Sequence, residues 1–180
     1  MTRRKKPAPE SSHQVPERKR TSLGLYVTSE EAYRMWKADP RRVHILDVRT
    51  PEEYVFVGHA EMAKNIPLLF VKHEWNAEIN EFAVEPNPGF IPEAKRLFAP
   101  TDTILVMCRS GDRSARAVDA LARAGFVNVH NIVDGMEGDK VDNPGSTHHG
   151  KRVKNGWKNC GAPWTYDVRL EQTCLSCAKK

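Results

Sequence analysis

Apolar positions along the 180 residues gather into short runs and helical stripes, separated by polar breaks marked by Pro and Gly. Thr28, with Glu31 three residues on, has the pattern of a capping box and predicts a helix running to about Ala38, where Asp39-Pro40 ends it. Val43 to Val48 (VHILDV) is a β-rich run closed by Thr50-Pro51 and predicts a buried strand. Glu52 to Val57 predicts a brief helix, and Lys64 to Ile66 a second short strand. Thr103 to Met107 (TILVM) is continuously apolar, as a strand covered on both faces of a parallel sheet must be, and is the candidate central strand. From Arg113 to Ala124 the apolar Val118, Leu121 and Ala122 keep helical spacing, Asp119 and Arg123 form a favourable i,i+4 pair, and Gly125 supplies the stop. Phe126 to Val133 predicts another strand. Strands alternating with helices predict an α/β domain built on a parallel sheet.

Two stretches lack such regularity. Leu68 to Pro100 reads as an elaborated crossover, helical from Ile91 to Phe98 and broken by the turn Pro86-Asn87-Pro88-Gly89. Residues 139–156 form a polar insertion without periodicity, after which Trp157 and Trp164 return the chain to the domain. The organisation expected is therefore a basic tail over 1–21, a domain over 22–166, and a Cys-containing tail over 167–180.

Composition changes this picture little. With 39% hydrophobic and 28% charged residues the chain is ordinary for a globular domain, and no apolar run reaches the roughly 18 residues of a membrane span. The formal net charge is +5, but seven of the 28 Lys and Arg residues fall within the first 20 positions. That tail is Pro-rich and poor in apolar residues, which predicts disorder, and it lacks the interleaved aromatics of a nucleic-acid surface. Its positive start is not followed by the apolar segment of a secretion signal, so the expected location is the cytoplasm.

The sharpest chemistry lies in Cys108-Arg109-Ser110-Gly111-Asp112-Arg113-Ser114, between the central strand and the amphipathic helix. A loop entering a helix N-terminus presents unpaired N–H groups and the positive end of the helix dipole, and so stabilises an anion at its centre. Cys108 sits in that field, which favours a thiolate nucleophile and equally a persulfide anion, and it is expected to be partly exposed. Gly111 permits the tight turn, and Arg109 and Arg113 attract an anionic donor.

The loop CRSGDRS, with LDVRTPEEY from Leu46 to Tyr54 and GHAEMAKNIP from Gly58 to Pro67, resembles the rhodanese homology domain over about Ser22 to Glu137, with Trp157 to Tyr166 after the insertion. The resemblance implies a parallel five-stranded sheet flanked by helices, Cys108 as sulfur carrier, and Arg109, Ser110, Gly111, Asp112 and Arg113 as the cradle of the transferred group. Asp47 and Arg49 match the family's LDVR positions and either brace the loop or form a structural ion pair. Two departures stand out. Ala60-Glu61-Met62 replaces the usual apolar residue, Pro and Gly after Gly58-His59, and Asp134-Gly135-Met136-Glu137 replaces a double glycine with nearby tryptophan; neither is expected to touch the active loop. His59 reads as a structural hydrogen-bonding residue rather than a base.

Cys160, Cys174 and Cys177 form a second constellation. With His148 or His149 they would complete a Cys3His zinc site; the other readings are a disulfide, a thiol that accepts sulfur from Cys108, or a passive tail. No metal and no cofactor is expected at the Cys108 site.

The function expected is sulfur transfer: Cys108 takes sulfane sulfur from a small anionic donor such as thiosulfate and passes it to cyanide or a thiol acceptor, a protein thiol among the candidates. The alternatives are a non-catalytic interaction module and a Cys-dependent phosphatase or arsenate reductase. By resemblance, phosphate-handling relatives carry one residue more than the six from Cys108 to Arg113, and the shorter loop suits a single sulfur atom.

Overall fold

The structure, a computed structural model, describes residues 15–174. Its centre is a parallel sheet of five strands in the order β1 (Tyr26–Val27), β8 (Val129–Ile132), β7 (Thr103–Met107), β2 (Val43–Asp47) and β4 (Lys64–Asn65). Helices α1 (Ser29–Ala38), α2 (Pro51–Phe56), α3 (Phe90–Leu97) and α4 (Asp112–Arg123) connect and flank these strands. The TILVM run is the middle strand, in register with β2 from Val43 opposite Thr103 to Asp47 opposite Met107. Its alternation fills two cores. Ile104, Val106 and Cys108 pack with Phe90, Ala94, Val118 and Leu121 of α3 and α4, while Leu105 and Met107 pack with Ala32, Met136 and Trp157 on the opposite face.

The helix starts follow local chemistry. Thr28 and Glu31 close the capping box of α1, and Thr50 and Glu53 close a second one around α2, with Pro51 at its first turn. The helix expected over Glu52–Val57 thus begins one residue earlier, and the strand drawn from Phe126 starts at Val129. No helix among the described residues is long and apolar enough to cross a membrane.

Three features differ from the sequence reading. The crossover contains an antiparallel hairpin, β5 (Leu69–Asn76) and β6 (Glu81–Pro86), paired only with each other. The basic tail does not extend to residue 21: Val15 and Lys19 are buried, and Glu17–Lys19 form a 3-10 turn. Lys19 Nζ reaches Asp139 of the insertion at 2.7 Å, so a residue read as solvated charge pins the chain to the domain. The rest of the tail, residues 1–14, lies outside the described residues. Finally, β3 (His59–Ala60) pairs with β9 (Trp164–Thr165), which fixes the returning chain beside the Gly58 turn.

Candidate active site

Cys108 follows the C-terminal end of β7, and the loop after it turns into α4 at Gly111, whose φ is +96°. A side chain there would run into the Val133 backbone, so the sharp turn requires glycine. The turn brings the Gly111 N–H to within 3.2 Å of Cys108 Sγ, and the first turn of α4 adds the N–H groups that have no intrahelical acceptor. The Ser114 hydroxyl lies 3.4 Å from the same sulfur. Ser114 Oγ is also 2.6 Å from Asn131 Oδ1, and the Asn131 amide donates to the carbonyls of Lys19 and Gly111, both at 2.9 Å. Those two donations fix which end of Asn131 faces Ser114. One hydroxyl proton therefore has two acceptors. The Asn131 oxygen at 2.6 Å is the nearer of the two, and the sulfur at 3.4 Å is the second.

Contrary to expectation, Cys108 is only 2% exposed and forms the floor of the site. Above it lies a cleft of about 580 Å³, lined by Arg109, Ser110, Asp112, Arg113 and the β5–β6 hairpin. Arg113 is not a free anion receptor. Its two terminal nitrogens bind the Glu53 carboxylate at 2.6 and 2.7 Å, a fork-to-fork pair. Burial pushes the Glu53 carboxyl up, but the Arg113 hydrogen bonds and charge outweigh it and hold the group below its ordinary range. Arg109 is exposed at the rim, and Asp112 faces Arg18 at 3.8 Å.

Asp47 and Arg49 form a fully buried ion pair, with 2.6 Å between Arg49 Nη2 and Asp47 Oδ2. Arg49 also donates to the carbonyls of Gly58 and Glu53, at 2.8 and 3.3 Å. The hydrogen bonds of the two side chains run to each other, to the Arg49 N–H and to the Glu53 and Gly58 carbonyls. The pair fixes α2, and α2 carries the Glu53 that holds Arg113. His59 is buried, stacked on Tyr54 with ring centres 3.8 Å apart, and donates from Nδ1 to the Tyr54 carbonyl at 3.1 Å; it is absent from the cleft lining.

The segment after β8 corrects one reading. Met136 and Glu137 donate their N–H groups to the carbonyls of Cys108 and Arg109 at 2.8 and 2.9 Å, so Asp134-Gly135-Met136-Glu137 does touch the active loop. Gly135 lies so close that a Cβ would come within 2.5 Å of the Cys108 carbonyl oxygen. Asp134 accepts from Ser29 and Gly156 and ties this segment to α1 and to the returning chain.

Sequence reasoning did not assign Glu53, Ser114, Asn131, Lys19 or Gly135. The Thr50-x-x-Glu53 spacing marks a capping box and would have found Glu53 as a helix residue; Asn131 and Lys19 carry no local signal. The other cysteines are not at the site. Cys160 packs beside Met136 and Trp157 with its thiol pushed up by burial, and Cys174 is disulfide-bonded, its N–H on the Asn65 carbonyl at 3.1 Å. Neither lines the cleft, and Cys177 lies outside the described residues. Among the described residues no group of His, Cys, Asp and Glu is placed to hold a metal ion, so His148 and His149 complete no Cys3His cluster there.

The sequence profile of the rhodanese-like domain matches residues 28–141, from the capping box of α1 past the active loop into the insertion. The chain belongs to the rhodanese-like domain family. Thiosulfate sulfurtransferase 16, chloroplastic, of Arabidopsis thaliana is 39% identical over 90 residues, which are 50% of this chain and 68% of that one. The uncharacterized protein RP600 of Rickettsia prowazekii is 29% identical over 78% of this chain and 96% of its own. Among solved structures, Rv0390 from M. tuberculosis superposes with a TM-score of 0.60 over 78% of this chain and 96% of its own; at 24% identity this likeness bears on the fold. The rhodanese-like sheet and its helices are thus the framework that sets Cys108 at a strand end.

Proposed function

We propose that this rhodanese-like protein is a sulfurtransferase that carries sulfane sulfur on Cys108. The observation that supports it most is the surround of one sulfur atom. Cys108 Sγ meets a backbone N–H and a hydroxyl at the N-terminus of α4, a set of fixed donors suited to a thiolate and to a terminal persulfide anion. In the first half-reaction the Cys108 thiolate attacks the outer sulfur of thiosulfate. The sulfur–sulfur bond of the donor breaks, sulfite leaves with the electron pair, and Cys108 holds a persulfide. In the second, an acceptor thiolate or cyanide attacks the terminal sulfur and Cys108 departs as the thiolate, so the cycle closes without a net oxidant.

In this reading Ser110, Gly111 and Asp112 shape the cradle, Arg109 draws in the anion at the rim, and Arg113 keeps Glu53 and the loop in place. Asp47 and Arg49 support α2. The name of the Arabidopsis relative agrees with thiosulfate as donor.

The test is intact-protein mass spectrometry after incubation with thiosulfate. The wild type should gain one sulfur atom, mapped to Cys108, and lose it on addition of cyanide; Cys108→Ser should gain none. Absence of the added sulfur, or its appearance on Cys160, would overturn the reading.

A further inference from the structure

We propose that the β5–β6 hairpin is the docking surface for a sulfur acceptor that is itself a polypeptide: an acidic, partly apolar segment that presents a cysteine to Cys108. The inference rests on the sulfurtransferase reading and names the acceptor class. Cross-strand partners place Val71 opposite Val84 and Trp75 opposite Phe82, so these four side chains share one face of the hairpin. Leu69, Val71, Phe82 and Val84 form a wall of the cleft over Cys108. The face does not stop at the cleft. It continues outward to Trp75, 56% exposed and edge-on to Phe82, and the turn beyond adds Ile79, 61% exposed.

An eight-residue strand at roughly 3.3 Å per residue is about 26 Å long, several times the reach of a small thiol. A cleft of about 580 Å³ alone would suit a small molecule. An apolar strip that runs out of it, centred on Trp and Phe, suits the anchor residues of a protein interface.

Charge selects the sign of the partner. Arg113 and Glu53 neutralise one another, and Arg18 faces Asp112. The described lining then holds Arg109, Arg116 and Arg152 against Glu81, a net positive rim beside the apolar wall. That rim attracts carboxylates beside the acceptor cysteine, while the outer strip, flanked by the exposed Glu74, Glu78 and Glu85 with Lys72 paired to Glu74, is left to apolar contact. Transfer needs no further reagent: the acceptor cysteine thiolate attacks the terminal sulfur, the Cys108–sulfur bond breaks, and the acceptor leaves as the persulfide.

Two synthetic peptides test this, one with a cysteine set among glutamates and leucines, the other with lysines in place of the glutamates. Labelled versions with serine instead of cysteine report binding by fluorescence anisotropy, independent of sulfur chemistry. The acidic peptide should bind about tenfold or more tighter than the basic one, with a loss of similar size in the double variant Trp75→Ser, Ile79→Ser. In discharge assays that variant should raise the KM for the cysteine peptide about tenfold, while thiosulfate loading and discharge to 2-mercaptoethanol stay unchanged. Equal binding of the two peptides, or a variant that binds as the wild type does, would overturn the proposal. So would a wild-type dimer in sedimentation that the variant dissociates, because a second copy would then own this face. Failure of loading with binding intact would instead overturn the sulfurtransferase reading and leave the docking surface standing.

Discussion

The Cys108 loop and the β5–β6 hairpin form the floor and one wall of the same cleft, yet they are built on opposite principles. Three separate segments hold the loop. Met136 to Gly138 bind its carbonyls, Asn131 ties Ser114 and Gly111 to the buried strap at Lys19, and Glu53 grips Arg113. The hairpin strands pair only with each other and are anchored at their base, where Leu68 binds the Val48 carbonyl and Asn87 binds Pro67 and Leu68. A reaction at one sulfur atom demands fixed donors, whereas recognition of a partner tolerates an adaptable surface. Substitutions in the first region should therefore disturb both fold and chemistry, and those in the second should spare the fold.

The largest effect is expected at Gly135. Its φ of +61° and its contact with the Cys108 carbonyl leave no room for a methyl group, and the obstructing atoms are backbone. Gly135→Ala should destabilise the protein by roughly 3–4 kcal/mol, from strain and overpacking together. The displaced loop should also lose about a hundredfold in the rate of persulfide formation. Urea unfolding and single-turnover loading measure the two. A variant with wild-type loading would show that this segment does not position the loop.

Next comes the strap. Lys19 is 3% exposed and its ammonium faces Asp139, while the Asp139 carboxyl, pushed up by burial, is held down more strongly by Lys19 and Asn155. Asp139→Ala strands a buried charge and should lower stability by roughly 2–4 kcal/mol; Lys19→Met in the same background should recover most of it. Loading should slow in the single variant and recover in the double one, since the Lys19 carbonyl orients Asn131. Recovery of stability without recovery of rate would disconnect the strap from the site.

How much of this was legible in the sequence depends on how local the cause is. TILVM announced a central strand because it is apolar on both faces, and CRSGDRS announced its anion loop because strand end, glycine and helix start are contiguous. The hairpin was hidden for the opposite reason. Its apolar positions alternate, but the connecting Asn76 to Asn80 lacks a tight-turn signature, and the alternation faces a cleft rather than a core. Lys19 looked like part of a solvated charge run because the partner that buries it stands 120 residues away. The contact of Gly135 with the loop is likewise made by strands adjacent in space, not in sequence. Arg113 was read as an anion receptor because its partner Glu53 reaches it only through α2.

The Arg113–Glu53 pair gives a smaller, pH-dependent effect. The folded state holds the Glu53 carboxyl below its ordinary value of 4.5, so the folded protein binds fewer protons there than the unfolded chain. The stabilisation is complete above that ordinary value and is lost as pH falls through the lower folded one. Both side chains are partly screened, so the amount should be about 1 kcal/mol. Thermal melts from neutral pH to below pH 4.5 should show a drop in the wild type that is shallower in Glu53→Gln. Identical acid profiles would mean that the pair adds no stability.

The smallest effect is expected where the side chains are largest. Trp75 and Ile79 keep more than half of their surface in water, so replacing them by serine removes little buried apolar area, and the strands retain their backbone pairing. The double variant should differ from the wild type by no more than about 0.5 kcal/mol, or about 1–2 °C in melting temperature for a domain of this size. It should also be more soluble, because an exposed apolar strip promotes self-association. Differential scanning calorimetry distinguishes the outcomes. A loss of roughly 2 kcal/mol or more would mean that the hairpin is packed against the body of the protein, and a packed hairpin has no free face to offer a partner.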